Sequence, residues 1–263
     1  MRYVFFSLLV PAGLALAAPA RAQARFSMGP QVGAVGSFTS YYGYGNYTGT
    51  GRPYQTRYLA GFEAGVVGAL NLGHVQVQPA LLFAQRGFRI ADDYITYYFH
   101  ATTSVRQRLN YLSLPLNLAY TFRATGQGLQ VFGGPYVSLL LGGTYVYHNT
   151  YVGYRQPEYT IDGTLPVAGS QQYGSSSNDP AEPNPPLTTY YARRLDAGFQ
   201  VGLGYRFGNG LVRAGYSLGL TNPGVGSEVD HGQNGVYTTK PSSYPNQAFQ
   251  LSLAYLFSLP SGS

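Results

Sequence analysis

The stretch Leu195–Leu220 alternates in polarity for longer than a strand of a soluble protein needs. Leu195, Ala197, Phe199, Val201, Leu203, Tyr205 and Phe207 share one side, and Asp196, Gly198, Gln200, Gly202, Gly204 and Arg206 the other. After Gly208-Asn209-Gly210 the pattern resumes, with Val212, Ala214, Tyr216, Leu218 and Leu220 against Arg213, Gly215, Ser217 and Gly219. A period of two is that of an extended strand, and the Asn-Gly step predicts a tight hairpin turn. Each arm matches the roughly 9–11 residues that cross a bilayer at a tilt. The stretch predicts two neighbouring strands of a transmembrane β-barrel.

The same signal recurs along the chain. Alternating segments are expected at Phe26–Phe38, Arg57–Leu70, His74–Phe88, Val105–Phe122, Gly128–Val146, Leu195–Phe207, Val212–Leu220 and Gln247–Phe257. Short turns join the second to the third (Asn71-Leu72-Gly73), the fourth to the fifth (Arg123–Gln127) and the sixth to the seventh (Gly208-Asn209-Gly210). The other connections are long and rich in Gly, Tyr, Ser, Asn and Pro, the longest expected from about Tyr147 to Arg193. Alternation of short and long connections is the asymmetry of outer-membrane barrels, with short periplasmic turns and longer extracellular loops. The expected fold is therefore all-β, an eight-stranded antiparallel up-and-down transmembrane barrel spanning residues 23–257, followed by a short tail, 258–263.

Charge placement agrees with this reading. Glu63, Arg86, Asp196, Arg206 and Arg213 each fall on the polar phase of their segments. A cation facing lipid at mid-membrane costs roughly 2–4 kcal/mol, which keeps such residues on the lumenal side. Leu59, Val67, Leu82 and Leu140 also fall on the inner phase, which suits a narrow barrel packed with side chains. A secreted barrel with its apolar face inward would need many outward charges, yet charged residues are 10% of the chain. Tyr and Phe near segment ends (Phe26, Tyr58, Tyr120, Phe122, Tyr205, Phe207, Tyr255, Phe257) suit the girdles of a barrel at the membrane interfaces.

The chain opens with Arg2, an apolar run Tyr3–Ala17 broken by Pro11 and Gly13, and Ala20-Arg21-Ala22. This is the layout of a secretory signal peptide, residues 1–22, with cleavage after Ala24 as the alternative. There is no cysteine, hence neither a disulfide nor a thiolate metal site. Net charge is +6, but the cations are dispersed arginines and Lys240 is the sole lysine, so nucleic acid is not an expected partner.

Several motifs resemble the PorT-like outer-membrane β-barrel family. They are Gln78-Pro79-Ala80-Leu81-Leu82-Phe83-Ala84-Gln85-Arg86-Gly87, Asn110-Tyr111-Leu112-Ser113-Leu114-Pro115-Leu116, Gly133-Gly134-Pro135-Tyr136, Asp196–Phe207 and Arg213–Asn222. The resemblance covers nearly all of Phe26–Phe257. It implies an eight-stranded barrel in the outer membrane of a Gram-negative bacterium. Ala80 stands where family members often carry Glu. The founding member is associated with protein export and gliding, roles that a shared barrel does not transfer.

As chemistry, the five lumenal charges are expected to form a structural network, with a selectivity constriction as the alternative. Leu253, Tyr255 and Phe257 on the last strand read as a signal for the barrel-assembly machinery, which adds strands at an exposed edge. Tyr41, Tyr42, Tyr44 and Tyr47 are candidate loop contacts for an extracellular glycan or protein ligand. Tyr145, Tyr147, Tyr151, Tyr154 and Tyr159 fit either a contact surface or an extended girdle. Asn46-Tyr47-Thr48 matches a glycosylation sequon, a pattern common by chance. The acid–histidine pairs His231 with Asp230, and His100 with Asp92 and Asp93, are the only loop candidates for a hydrolase, and no Ser sits in a nucleophile-elbow sequence. The expectation is a non-enzymatic, monomeric barrel without cofactor or metal. Outer-membrane lipid surrounds it, its lumen is filled, and it presents loops for envelope structure, adhesion or partner binding. The alternatives are a narrow pore or export component, and a loop-borne surface hydrolase.

Overall fold

The computed structural model describes residues 25–39, 56–95, 99–153, 156–170, 189–223, 227–231, 237–241 and 245–258. The expected signal peptide, Tyr41, Tyr42, Tyr44, Tyr47, the Asn46 sequon and Tyr154 lie outside them, as do the side chains of Asp92, Asp230 and His231.

Eight strands form the barrel: β1 (Arg25–Thr39), β2 (Leu59–Leu72), β3 (Val75–Ile95), β4 (Phe99–Thr121), β5 (Gly128–Gly153), β6 (Leu195–Phe207), β7 (Gly210–Gly219) and β8 (Asn246–Tyr255). Each pairs antiparallel with its neighbour in sequence. The ring closes where β8 returns to β1, with Val32 opposite Leu253 and Phe38 opposite Gln247. Phe257–Ser258 prolongs the seam against Met28 and Ser27. No spanning strand is left with an edge, which a hydrocarbon surround requires.

The apolar phase faces outward throughout. Met28, Val32, Phe62, Val66, Leu81, Leu114, Leu116, Leu118, Val131, Val137, Leu139, Phe199, Val201, Leu203, Leu251 and Leu253 are all exposed on the isolated protein. They form the lipid-facing band. At its periplasmic margin Tyr120 meets Phe122 edge-on, and Tyr255 meets Phe257 likewise. At the extracellular margin Phe38, Tyr58 and Phe249 gather, with ring centroids 4.8 Å apart for Phe38 and Tyr58.

Three features differ from the expectation. The first is strand length. Segments expected to end at Phe88, begin at Val105 and end at Val146 instead run on to Ile95, start at Phe99 and reach Gly153. The supposed loop from Tyr147 onward is strand, and Gln156–Ser170 folds back on β5 as a further ribbon. Tyr190–Arg193 then pairs parallel with Val167–Ser170. Beyond the lipid the outward face no longer has to be apolar, so alternation fades while pairing continues. The second is a one-residue bulge in β5. Asn110 pairs with Gly142 but Tyr111 pairs with Leu140, so Leu141 is extra and the phase of β5 reverses above it.

The third is turn chemistry. The loop between β6 and β7 is Gly208-Asn209, with Gly210 already paired to Phe207. Only Gly208 takes a positive φ, +57°, the pattern of a II′ turn rather than an Asn-Gly I′ turn. Gly73-His74 between β2 and β3 repeats it, with Gly73 at φ +84°.

Gly29 is set by contact rather than by φ. A Cβ there would lie 1.7 Å from the Tyr255 carbonyl oxygen across the closing seam. Gly29→Val therefore displaces β8 from β1, and we expect a loss of about 1–3 kcal/mol or more, the scale of overpacking. Heat-modifiability on gels after refolding into vesicles reads the lost folded fraction; an unchanged shift contradicts the seam geometry.

Candidate functional site: the barrel interior and the outer ribbon

All five charged residues of the inner phase lie inside the ring, with exposures of 1–8%. They fall into three places. Near the periplasmic end Arg206 donates through Nη2 to Ser27 Oγ at 3.3 Å and through Nε to the Gly208 carbonyl at 3.4 Å. Val67, Ala69, Ala80, Leu82, Leu211, Ala254 and Leu256 fill the space beside it as an apolar cluster.

Glu63 and Arg213 form the second group, joined by an amide. Gln31 donates to Glu63 Oε1 at 2.9 Å and accepts from Arg213 Nη2 on its own oxygen. Arg213 also donates to Gln78 Oε1 at 3.3 Å, and Gln78 donates to Gln76 and Gln130 at 2.9 and 3.0 Å. The Arg213 guanidinium stands 5.5 Å from the Phe132 ring. A chain of glutamines, with Arg213 joining Gln31 to Gln78, suits a narrow lumen, because each glutamine offers both a donor and an acceptor.

In the third group Arg86 Nη1 lies 3.6 Å from Asp196 Oδ2 and its guanidinium 4.7 Å from the Tyr136 ring centre. Asp196 is otherwise well supplied: it accepts from Thr221 Oγ1 at 2.6 Å, Asn246 Nδ2 at 3.0 Å and Tyr136 Oη at 3.4 Å. Asn246 also donates to Tyr111 Oη at 3.3 Å. Arg86 Nε and Nη1 have no hydrogen-bond acceptor within reach. Between the second and third groups lies a cavity of about 20 Å³ of water-accessible space, lined by Glu63, Arg86 and Arg213 among others. That is room for one or two water molecules.

Above Asp196 the barrel is capped. Val167 and Ala192, from the returning ribbon, pack on Leu109, Tyr111 and Leu140. Higher still, Phe88, Ile90 and Val105 pack with Tyr145 and Tyr147. The outer tyrosines therefore serve the ribbon's own packing: Tyr145 stacks on Tyr190 at 4.2 Å and Tyr151 on Tyr159 at 5.0 Å. Leu253, Tyr255 and Phe257 of the last strand are exposed on the lipid face.

The acid–histidine pairs fare differently. Near the tip of the β3–β4 hairpin His100 Nε2 is 2.5 Å from Asp93 Oδ1, and Thr102 Oγ1 donates to the same oxygen at 2.9 Å. These two contacts hold the Asp93 carboxyl below its ordinary range, the His100 bond contributing most. The threonine hydroxyl meets the acid rather than the imidazole, which is not the order of a nucleophile–base–acid relay. His74, beside the first turn, bonds the Thr121 carbonyl at 2.9 Å. Asp230 and His231 lie on a separate two-stranded ribbon, in register with Thr238 and Tyr237. Among the described residues no group of three or more His, Asp or Glu converges as a metal site.

Sequence reasoning identified the five charges but missed Gln31, Gln76, Gln78, Gln130, Tyr111, Tyr136, Thr221 and Asn246. Except for Thr221, which follows β7, each is a polar or aromatic residue where its strand turns inward, the glutamines on the same phase as the charges.

A closed eight-stranded ring with a lipid-facing apolar band and a polar, side-chain-filled interior defines an integral outer-membrane β-barrel protein. The family model for the outer membrane protein beta-barrel domain matches residues 18–223, and the chain belongs to that family. It is a protein of the Gram-negative outer membrane. No curated protein matches it by sequence. Among solved structures it is similar to Neisserial surface protein A, at 10% identity and a TM-score of 0.35, covering 88% of this chain and 97% of that one. It is also similar to AlkL in lipid bilayers, at 12% identity and a TM-score of 0.33, covering 92% and 93%. The N-terminal barrel domain of Pseudomonas aeruginosa OprF gives 15% identity and a TM-score of 0.26, covering 89% and 100%. These are remote likenesses.

Two outcomes follow from the geometry. Asp196→Ala leaves Arg86 buried without its counter-charge and should cost about 3–5 kcal/mol, read by urea unfolding in vesicles. Arg86→Leu combined with Asp196→Asn should recover most of that loss; equal instability of single and double variants contradicts the pairing. At the hairpin tip, His100→Ala should raise the Asp93 titration toward the ordinary carboxylate range. The sign follows from the lowered folded-state value: the contact is present above the unfolded pKa and lost as pH falls through the folded one. Carboxyl ¹³C NMR titration measures it.

Proposed function

We propose that this barrel is a non-enzymatic scaffold of the outer membrane. In this reading the lumen is closed and the extracellular sheet and loops are presented for envelope structure, adhesion or contact with a partner. The observation that carries it is the continuous filling of the interior. The apolar cluster around Leu211, the Gln31–Arg213 relay, the Arg86–Asp196 group and the cap of Val167 and Ala192 follow one another from end to end. A cavity large enough for only one or two waters supports structural roles for Glu63, Arg86, Asp196, Arg206 and Arg213. The Asp93–His100 pair has no hydroxyl on its imidazole among the described contacts, which supports the non-enzymatic reading over a surface hydrolase.

Motif order from Gln78–Gly87 through Asn110–Leu116 and Gly133–Tyr136 supports a place among PorT-like barrels. We read residues 1–22 as a removed signal peptide and Leu253, Tyr255 and Phe257 as the strand recognised by the assembly machinery. Tyr41, Tyr42, Tyr44 and Tyr47 remain in this proposal as contact residues for a glycan or protein ligand, on a monomeric barrel. Planar-bilayer recording tests the closed lumen. Purified protein should show no discrete openings, and Arg213→Ala should introduce them by removing the side chain that spans from β7 to Gln31 and Gln78. Stable openings in the unaltered protein would favour the narrow pore or export component.

A further inference from the structure

Just above the lipid band, on the outward face of the sheet, three arginines stand side by side on three adjacent strand segments. Arg57 is directly opposite Arg89, and Arg89 directly opposite Arg106. All three are exposed. Arg108 lies on the same face of β4, one row nearer the membrane and opposite Gly87. Its Nε is buried and bonded to nothing.

The row is made by a local irregularity. β2 pairs with β3 through Glu63 and Ala84, while Arg57 pairs with Arg89, so one residue is extra between these registers. That bulge lets Tyr58 and Arg57 both point outward: Tyr58 joins the aromatic margin with Phe38 and Phe249, and Arg57 completes the arginine row. The row is thereby tied to the level of the extracellular girdle. Along β3 and β4 the same placement follows by counting. The last apolar row is Phe83 with Leu112, the next is Gln85 bonded to Asn110 at 3.1 Å, then Gly87 with Arg108, then Arg89 with Arg106. Rows are about 6.7 Å apart along a strand, so the four cations lie roughly 13–20 Å along the strands above the last apolar row.

Like charges directly opposite one another on neighbouring strands repel. Among the described residues the ion pairs are Arg86 with Asp196 and His100 with Asp93, and neither touches this row. A guanidinium cluster of this kind, paired with no acid among the described residues, at headgroup height and facing away from the barrel axis, fits one kind of occupant. We propose that Arg57, Arg89, Arg106 and Arg108 form a docking site for the phosphate groups of an outer-leaflet lipid headgroup. Guanidinium forks bond phosphate oxygens bidentately. The acyl chains of the same lipid would lie along the apolar band below, against Phe62, Phe83 and Leu112.

The test uses the full chain refolded in a zwitterionic detergent and titrated with bisphosphorylated lipid A, its dephosphorylated form, and inorganic pyrophosphate. Binding is read by native mass spectrometry and by thermophoresis. Arg57→Gln/Arg89→Gln/Arg106→Gln should weaken binding of the phosphorylated lipid by about tenfold or more, as loss of several charge-assisted bonds requires. Arg123→Gln, at a periplasmic turn, should leave it unchanged. Removing mutual repulsion should also leave the triple variant as heat-stable in phosphate-free detergent as the unaltered protein, a result that a row serving only the fold would not give. The proposal is overturned if the folded triple variant keeps its affinity for the lipid, or if the dephosphorylated lipid binds equally well. Pyrophosphate binding as tightly as the lipid would also overturn it, because the site would then be one for free phosphate.

Discussion

Hydrocarbon offers no partner to a peptide group, and that constraint organises the whole molecule. Every N–H and C=O within the lipid band must find its match in another strand, so the sheet can end only by meeting itself. The seam between β1 and β8 is where this is achieved, and it leaves no room for a side chain at Gly29. Gly29 admits the Tyr255 carbonyl at a distance no side chain would allow. Once eight strands close, the interior is too narrow for a water column, and what fills it must come from the inner phase of the same strands.

The inner phase answers with two kinds of chemistry. Apolar residues close the periplasmic side, beside Arg206, and the extracellular cap. Between them lie Arg86, Arg213, Glu63 and Asp196, all nearly excluded from water. Glu63 and Arg213 make no direct ion pair; Gln31 stands between them and satisfies both. Asp196 gathers donors from β5, β8 and the segment after β7, so its negative charge is held by neutral groups as much as by Arg86. The Nε and Nη1 of Arg86 stay without a hydrogen-bond acceptor, so Asp196 holds its cation by charge rather than by a close hydrogen bond.

The architecture was legible because lipid and lumen make opposite demands on successive residues. From Leu195 to Phe207 the two demands are met without exception, and Asp196 and Arg206 could be assigned inward from phase alone. Phase gives a residue's side of the wall but not its height or its partner, and Gln31 and Asn246 therefore stayed hidden among other inward polar residues. Above the membrane the lipid term disappears. Thr144, His148 and Thr150 need not be apolar, and the extra residue at Leu141 inverts the phase, so strand was indistinguishable from loop. The turns were mistaken for a related reason: Gly208-Asn209-Gly210 offers glycine at two places, and only pairing of Gly210 to Phe207 decides which one bends.

The long strands are neighbours. β3, β4 and β5 carry 21, 23 and 26 residues and are extended by the ribbon Gln156–Ser170, whereas β6, β7 and β8 have 13, 10 and 10. A barrel with equal walls would be indifferent to rotation about the membrane normal. This one is not, because among the described residues the barrel strands themselves rise highest over β3–β5. The molecule therefore has a front and a back within the plane of the bilayer. A neighbouring protein of bulky outer domain that approaches from the side of β3–β5 meets the raised sheet first. Lateral arrangement in a crowded membrane is in this way written into unequal strand lengths.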